Sequence, residues 1–213
     1  MTAPVVVMGA TSGIGARVVA RAAQRGVPVR AFARGADTLG PSDHVEPVAG
    51  DARSSEDVSA AIDGARAVIY TLGVKERIAM LWEEETLFSD TTRILVEAMQ
   101  SQGPRRLLVV TGFGAGRSRA AMSRLERLGH GAILGKPYAD KDRQEALIMD
   151  SHLDWTIARP VILTNGTGPS RLKVLRDPSE WRNGLVSRDE VAGYLLDALE
   201  RDLDIRADVV LAR

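Results

Sequence analysis

The chain has 213 residues, 45% of them apolar and 26% charged, which is the composition of one globular domain with a full core. Its 28 basic residues balance its 28 acidic residues, so we expect no nucleic-acid partner and no broad attraction to a membrane surface. The lack of cysteine excludes disulfides, thiolate metal sites and cysteine nucleophiles. There is no apolar run of about 18 residues, and because the first strand begins almost at once we expect no signal peptide. We expect a cytoplasmic protein, and we expect no metal site.

The N-terminal segment predicts a buried strand, a glycine-rich turn and a helix. Residues 5–7 are all valine, as in strands buried on both faces, and Ile14, Val18 and Ala22 recur every four positions on one helix face. In the pattern Gly-x-x-x-Gly-x-Gly, one glycine would make the tight turn, one would let a phosphate approach bare backbone, and one would let the helix pack close to the strand. The helix N-terminus suits a pyrophosphate, although an ordinary glycine-rich turn has the same pattern. The predicted contacts are Gly9, Thr11, Ser12, Gly13, Ile14 and Gly15.

This glycine spacing resembles the short-chain dehydrogenase/reductase superfamily, and the resemblance covers most of the chain. It implies an α/β fold of the Rossmann type, in which helices cover both faces of a doubly wound parallel sheet. It also implies a single NAD(P)-binding domain over residues 1–213, with a small C-terminal substrate region at about residues 160–190.

The hydrophobic pattern after the first helix predicts alternating strands and helices, as this fold requires. Gly26 would end the first helix, Ser54 with Asp57 would cap the second, and Ser187 with Glu190 would form a capping box on the last. The predicted strands cover residues 27–33, 45–49, 67–72, 106–110, 155–158 and 209–211. The predicted helices cover residues 54–62, 86–102 and 138–150 and a segment that begins near residue 187.

Two positions at the ends of the second and third strands bear on the choice of cofactor. Arg34 stands where dinucleotide-binding folds hold the ribose, and no acidic residue occurs before Asp37. A basic residue there suits a 2′-phosphate, which predicts NADP(H) in preference to NAD(H), unless Arg34 is a solvated surface residue. Asp51, with Ala52 beside it, resembles the superfamily's adenine-contacting acid, but it also suits a turn or a helix cap.

The ends of the fourth, fifth and sixth strands would line the ligand crevice. In the resembling superfamily, a Ser or Thr at the position of Thr111 hydrogen-bonds the substrate carbonyl or the nicotinamide ribose, although a threonine can also simply end a strand. The segment Leu-Asp-Trp-Thr-Ile-Ala-Arg-Pro, residues 153–160, looks like the part of atypical members that reaches the nicotinamide. The resemblance therefore also assigns cofactor contacts to Thr71, Leu72, Gly73, Thr111, Lys141, Pro160 and Val161.

The superfamily's usual proton transfer needs a Tyr-x-x-x-Lys helix, in which the lysine lowers the tyrosine pKa. This chain places Tyr138 and Lys141 three residues apart, so they would share a helix face but depart from the motif. Lys141 alone stands where the family's lysine would stand. We therefore take Thr111, Tyr138 and Lys141 as candidate catalytic residues, without expecting ordinary alcohol–ketone dehydrogenation.

Two further segments have alternative interpretations. Residues 74–85 would place Trp82 over the cofactor near a substrate ring, in the core, or in a dimer contact. Residues 112–135 contain several arginines with one opposing acid, which we interpret as a solvated basic helix. A flap that attracts an anionic substrate is the alternative for this segment. The arginines are Arg117, Arg119, Arg124 and Arg127.

The size and order of the chain resemble the NmrA-like group of NAD(P)H-binding proteins and, within it, the biliverdin-IXβ reductase/flavin reductase type. Residues 88–99 and 106–111 carry this resemblance, whereas Ser12 replaces a usual glycine. The resemblance implies hydride transfer from NADPH to a flat conjugated acceptor such as a flavin, a quinone or a tetrapyrrole-like molecule, a reaction that can depend on placement alone. A non-catalytic NADP(H)-sensing regulator is the alternative, and a nucleotide-sugar epimerase or dehydratase is a weaker one. We expect a monomer or a homodimer.

Overall fold

The computed structural model of the chain describes residues 2–40, 42–73, 86–166 and 171–213, and it describes residues 124–136 by their backbone alone. The segment with Trp82 and the side chains of Arg124 and Arg127 therefore lie outside the described residues. In the described part of the chain, no helix is long and apolar enough to cross a membrane.

Ten strands, five α-helices and three short 3-10 helices, at Ala36–Thr38, Gly116–Ala121 and Pro178–Glu180, account for the regular structure of the described residues. The strands are β1 (Val5–Met8), β2 (Val29–Ala33), β3 (Val45–Ala49), β4 (Ala67–Tyr70), β5 (Arg106–Val110), β6 (Asp154–Pro160), β7 (Ile162–Thr164), β8 (Lys173–Leu175), β9 (Leu185–Ser187) and β10 (Ala207–Ala212). The helices are α1 (Gly13–Gln24), α2 (Ser55–Ile62), α3 (Leu87–Gln102), α4 (Arg124–Met149) and α5 (Arg188–Glu200).

Eight of the strands form one sheet in the order β3-β2-β1-β4-β5-β6-β10-β8. All neighbours are parallel except β10 and β8, which are antiparallel. In β1, Val5 lies between Val29 of β2 and Ala67 of β4, so the strand order reverses there. The predicted doubly wound α/β Rossmann fold is confirmed, and ligands of such sheets bind at the carboxyl ends of the strands beside this reversal.

The sheet is buried on both faces because helices cover both. The side chains of β1 alternate between two apolar clusters: Val5 and Val7 pack toward α1 and α5, and Val6 and Met8 pack toward α2 and α3. The continuous valine run of β1 is therefore the expected pattern of a strand with no solvent-facing side.

The predicted helix boundaries are largely confirmed. The Ser54 hydroxyl accepts a hydrogen bond from the Asp57 N–H, and Ser187 forms the expected capping box with Glu190. Gly26 adopts a positive φ of 69° directly after the C-cap of α1. The prediction for residues 138–150 was wrong at its start, because α4 begins at residue 124 and contains Pro137. A proline and several glycines lower the helix propensity of that first half and hide it from pattern analysis.

The C-terminal region at 160–190 contains structure that the sequence did not predict. β7 and β9 form a separate parallel pair, and β8 joins the edge of the main sheet. Each of these strands has only three residues, so none shows a readable alternation of apolar and polar positions.

Candidate functional site

The glycine turn between β1 and α1 contains two tightly packed glycines and one open one. Gly9 has a φ of 85°, and a Cβ there would lie 2.9 Å from the Thr71 carbonyl oxygen. A Cβ on Gly15 would overlap with the Gly9 carbonyl oxygen. At Gly13, where φ is 57°, a Cβ would meet no atom of the described residues within 4 Å. Gly9 and Gly15 therefore provide the tight turn and the close helix–strand contact, and Gly13 leaves an open face.

This open face adjoins an uncapped helix N-terminus. The N-cap residue Ser12 makes no side-chain cap hydrogen bond, and the first turn of α1 contains no acidic residue. The first N–H groups of a helix have no acceptor within it, and together they carry a partial positive charge. Thr11 is exposed, but the side chain of Ile14 is buried in the core, so Ile14 can offer a ligand only its backbone. The arrangement can hold a pyrophosphate.

The ends of β2 and β3 carry the two residues predicted near the adenosine. Arg34 is exposed directly after β2 and makes no hydrogen bond or ion pair among the described residues. Asp51 acts as a turn residue: its carboxylate accepts the Arg53 N–H at 3.0 Å, and its own N–H donates to Asp57 at 2.8 Å. Ala52 beside it is buried in the core. An exposed guanidinium without a partner in the described structure is free to bind a 2′-phosphate.

The end of β4 closes one side of the crevice. The Thr71 hydroxyl and backbone N–H both donate to the Met8 carbonyl, at 2.7 and 2.9 Å, so the threonine ties the end of β4 to the end of β1. Leu72 packs against the core. Gly73 is exposed, and a Cβ on it would meet nothing within 4 Å in the part of the chain that the structure describes. Of the three predicted cofactor contacts Thr71, Leu72 and Gly73, Gly73 is the one whose backbone is open to a ligand.

The three predicted catalytic residues come together at the end of β5. The Lys141 ammonium donates to the Thr111 carbonyl oxygen at 3.0 Å and lies 4.2 Å from the centre of the Phe88 ring. The Tyr138 hydroxyl lies against the next residue, Gly112, where a Cβ would approach it to 2.7 Å. Tyr138 and Lys141 therefore lie on one face of α4, as expected for residues three apart, and this face is directed at the end of β5.

The electrostatics of this group differ from those of a lysine-activated tyrosine. Burial lowers the pKa of Lys141 to about 8, although Glu145 and Asp140 oppose this effect. Burial and, secondarily, the Glu145 charge raise the pKa of Tyr138 to about 12. A tyrosine with a raised pKa is a weaker acid than usual, so the local environment does not prepare Tyr138 for proton transfer near neutral pH.

A buried ionic network lies under this group, and the sequence analysis missed it. Arg159 is completely buried, and its Nε and Nη2 donate to the Glu145 carboxylate at 3.0 and 2.7 Å. Its Nη1 donates to Asp208, which also accepts from Arg117. The Thr111 hydroxyl donates to the same Glu145 carboxylate at 2.7 Å. These residues belong to the segment after β5 and to α4, β6 and β10, so no local spacing in the sequence could have predicted the network.

The segment after β5 is attached to this network. Gly116 has a φ of 52°, its N–H donates to Asp142 at 2.6 Å, and a Cβ on it would overlap with the Glu145 carboxylate. Arg117 lies 5.0 Å from the centre of the Trp181 ring while it binds Asp208. Arg119 is exposed, as the interpretation as a solvated basic segment requires. Arg117 is exposed as well, but its guanidinium also forms an ion pair with the buried Asp208 carboxylate.

A second unpredicted contact fixes α4 against α3. The buried Asp140 carboxylate accepts the Phe88 N–H at 2.7 Å and the N–H and hydroxyl of Ser89. It thereby caps α3, whose own N-cap residue, Thr86, makes no side-chain cap bond. This cap holds the Phe88 ring beside the Lys141 ammonium.

The residues predicted after β6 have packing contacts. Pro160 and Val161 are both buried. The Pro160 carbonyl accepts the Phe113 N–H at 3.0 Å, and the Val161 N–H donates to the Leu211 carbonyl at 3.1 Å. They hold the segment after β5 and the end of β10 to the crevice edge. Over the described side chains, no cluster of residues could hold a metal ion.

Comparisons with known proteins agree with this geometry. A family model described as NAD(P)H-binding matches residues 9–202. ChuY from Escherichia coli O157:H7, an anaerobillin reductase, is 24% identical with a TM-score of 0.80 over 98% of this chain and 96% of its own. A short-chain dehydrogenase/reductase of Veillonella parvula DSM 2008 in complex with NADP is 17% identical with a TM-score of 0.83, covering 100% of this chain and 95% of its own. These similarities show the fold. No curated protein sequence matches the chain.

Proposed function

The chain belongs to the NAD(P)H-binding family, and from that premise we propose that it is an NADP(H)-dependent reductase acting on a flat conjugated acceptor. The observation that carries the proposal is the open Gly13, with its positive φ, at the N-terminus of α1. It lies at the same end of the sheet as Thr111 and Lys141, where the parallel strands have their carboxyl ends. A pyrophosphate on the glycine turn would leave the nicotinamide to reach these two residues. Bound NADPH would supply the hydride, and the protein would bind, orient and shield the reacting groups.

The weak acidity of Tyr138 favours a conjugated acceptor over a ketone. A ketone substrate needs a placed acid to protonate its oxygen, and Tyr138, with a pKa of about 12, is poorly suited to that task. A flavin, a quinone or a bilin-like tetrapyrrole spreads the charge that a hydride brings, so solvent can deliver the proton later. The name of the structural neighbour ChuY, an anaerobillin reductase, supports a bilin-like acceptor within this class. NADPH as reductant and the absence of cysteine are consistent with a cytoplasmic location.

The test is NADPH oxidation with a panel of flavins, quinones and bilins, which is measured as the loss of NADPH absorbance. We expect oxidation that depends on both the protein and one class of acceptor. Calorimetry on the same preparation measures NADPH binding independently of turnover. If NADPH binds tightly and no acceptor is reduced, the alternative of a non-catalytic NADP(H)-sensing protein replaces the reductase.

Replacement of Arg34 tests the preference for NADP(H). Arg34→Ala should weaken NADPH binding by about ten-fold or more and leave NADH binding unchanged, because one charge-assisted hydrogen bond to the 2′-phosphate contributes roughly 1.5–3 kcal/mol. Arg66 is the matched control, since it is also an exposed arginine but precedes the amino end of β4. Calorimetric titration of both variants with both cofactors is the measurement. Equal affinity of the unmodified protein for NADPH and NADH would contradict the assignment.

Replacement of Tyr138 tests the mechanism. Tyr138→Phe should keep most of the reductase activity, because its raised pKa makes it a poor proton donor and a conjugated acceptor needs little acid help. Lys141→Ala should instead weaken NADPH binding, with a smaller effect on turnover at saturating cofactor. Steady-state kinetics with NADPH and one accepted acceptor separate the two effects. A thousand-fold fall in turnover for Tyr138→Phe, with NADPH affinity intact, would restore the acid–base mechanism.

A further inference from the structure

The hydroxyl of Thr111 has one proton, and the structure shows where that proton goes. The hydroxyl oxygen donates to Oε1 of Glu145 at 2.7 Å. Both oxygens of Glu145 face the fully buried guanidinium of Arg159, at 3.0 and 2.7 Å. A carboxyl group in this two-point pairing is ionised, and an ionised carboxylate can only accept hydrogen bonds. Thr111 must therefore be the donor in this contact.

The surroundings prevent either partner from turning away. Glu145 is 2% exposed, and Gly116 packs so closely on its carboxylate that a Cβ would overlap with it. Arg159 is held at its third nitrogen by Asp208. The Thr111 backbone is fixed as well, because its N–H donates to the Ala158 carbonyl at 3.0 Å and its carbonyl accepts from Lys141. The direction of the hydroxyl proton is thus set by the fold before any ligand binds.

We propose that Glu145 is a positioning residue that makes Thr111 a hydrogen-bond acceptor toward the bound ligand. This inference rests on the proposed function, because it concerns the same crevice. With its proton directed to Glu145, the Thr111 hydroxyl has only lone pairs to offer. It therefore binds an N–H or O–H group, which in NADP(H) means the nicotinamide carboxamide or a ribose hydroxyl.

The same polarity excludes another role for Thr111. A substrate carbonyl, or the negative oxygen that forms from it, needs a donor, and Thr111 has none left to give. Of the two roles that the sequence analysis left open, contact with the cofactor remains and polarisation of the substrate carbonyl does not. Thr111 thereby orients the hydride donor and provides no acid to the acceptor.

Two substitutions at Thr111 and two cofactors test this polarity. Calorimetry should show that Thr111→Ser binds NADPH within about two-fold of the unmodified protein, and that Thr111→Val loses about two- to ten-fold, the usual effect of one neutral hydrogen bond. The second cofactor is the acetylpyridine analogue of NADPH, in which an acetyl group without N–H replaces the carboxamide. If the valine penalty disappears with the analogue, Thr111 accepts from the carboxamide N–H. If it persists, the contact is not with that N–H, and the acceptor role set by Glu145 leaves a ribose hydroxyl as the partner.

Glu145→Gln provides the complementary variant, because its amide can donate to Thr111 and so release the hydroxyl proton. A folded Glu145→Gln protein should bind NADPH more weakly, and Thr111→Val should cause no further loss in that background. If Glu145→Gln does not fold, the serine and valine variants decide the question alone.

Valine and serine variants that bind NADPH equally well would overturn the inference. Acceptor reduction is measured separately, so a protein that binds NADPH with the expected pattern but reduces nothing retains the inference and refutes the reductase. An unmodified protein that does not bind NADPH refutes both.

Discussion

Gly13→Val should weaken the affinity for NADP(H) by roughly a hundred-fold or more, while leaving the protein folded. The substituted Cβ would enter the open face at the N-terminus of α1, where no atom of the described chain lies within 4 Å, so it displaces ligand and does not collide with the described fold. The N–H groups of that first turn would lose their pyrophosphate, and two charge-assisted hydrogen bonds at roughly 1.5–3 kcal/mol each account for the effect.

The control for this substitution is Gly64→Val. Gly64 has a φ of 64°, close to the 57° of Gly13, and a Cβ there would also meet no described atom within 4 Å. Valine is strained at a positive φ by about 1–3 kcal/mol at either position, so the two variants should lose similar stability in urea unfolding. Only Gly13→Val should fail to bind NADPH in calorimetry. A folded Gly13→Val protein with undiminished binding would falsify the assignment of the glycine turn.

The local part of the site was readable from the sequence because its residues are close together along the chain. The strand, the turn and the helix that contain Gly9, Gly13 and Gly15 span only residues 5–24, and Gly9 and Gly15 make the close contacts that their spacing predicts. Thr111 and Lys141 were found through a resemblance that places them at fixed points of the fold. The contact between the Lys141 ammonium and the Thr111 carbonyl then came from the structure.

The buried network could not have been predicted in the same way. Charged residues are rarely buried, and no short motif joins Glu145, Arg159 and Asp208, so the sequence does not mark them as partners. What brings them together is the order of β5, β6 and β10 in the sheet, with α4 packed beside it. The catalytic prediction was therefore incomplete at the point where long-range topology, and not spacing, decides which side chains meet.

The largest loss of stability is expected for Arg159→Met. Arg159 is fully buried, and its removal leaves the Glu145 carboxylate without a cation in hydrogen-bond contact among the described residues. Breaking a buried ion pair by removing one partner costs about 3–5 kcal/mol, because the remaining charge stays desolvated. Arg25 is the control, since it also pairs with two carboxylates, Asp197 and Glu200, but at the surface. Arg25→Met should cost at most about 1 kcal/mol.

At acid pH, the difference in free energy of unfolding between Arg159→Met and the unmodified protein should become smaller. Burial opposes the ionisation of Asp208, but hydrogen bonds and charge from Arg117 and Arg159 outweigh it and lower the Asp208 pKa. The pairing therefore stabilises the fold above the unfolded-state pKa, and this stabilisation is lost as the pH falls through the folded-state pKa. Urea unfolding of both proteins at neutral and acid pH measures the difference. If this difference does not change with pH, or if Arg159→Met loses no more stability than Arg25→Met, the network does not hold this side of the crevice together.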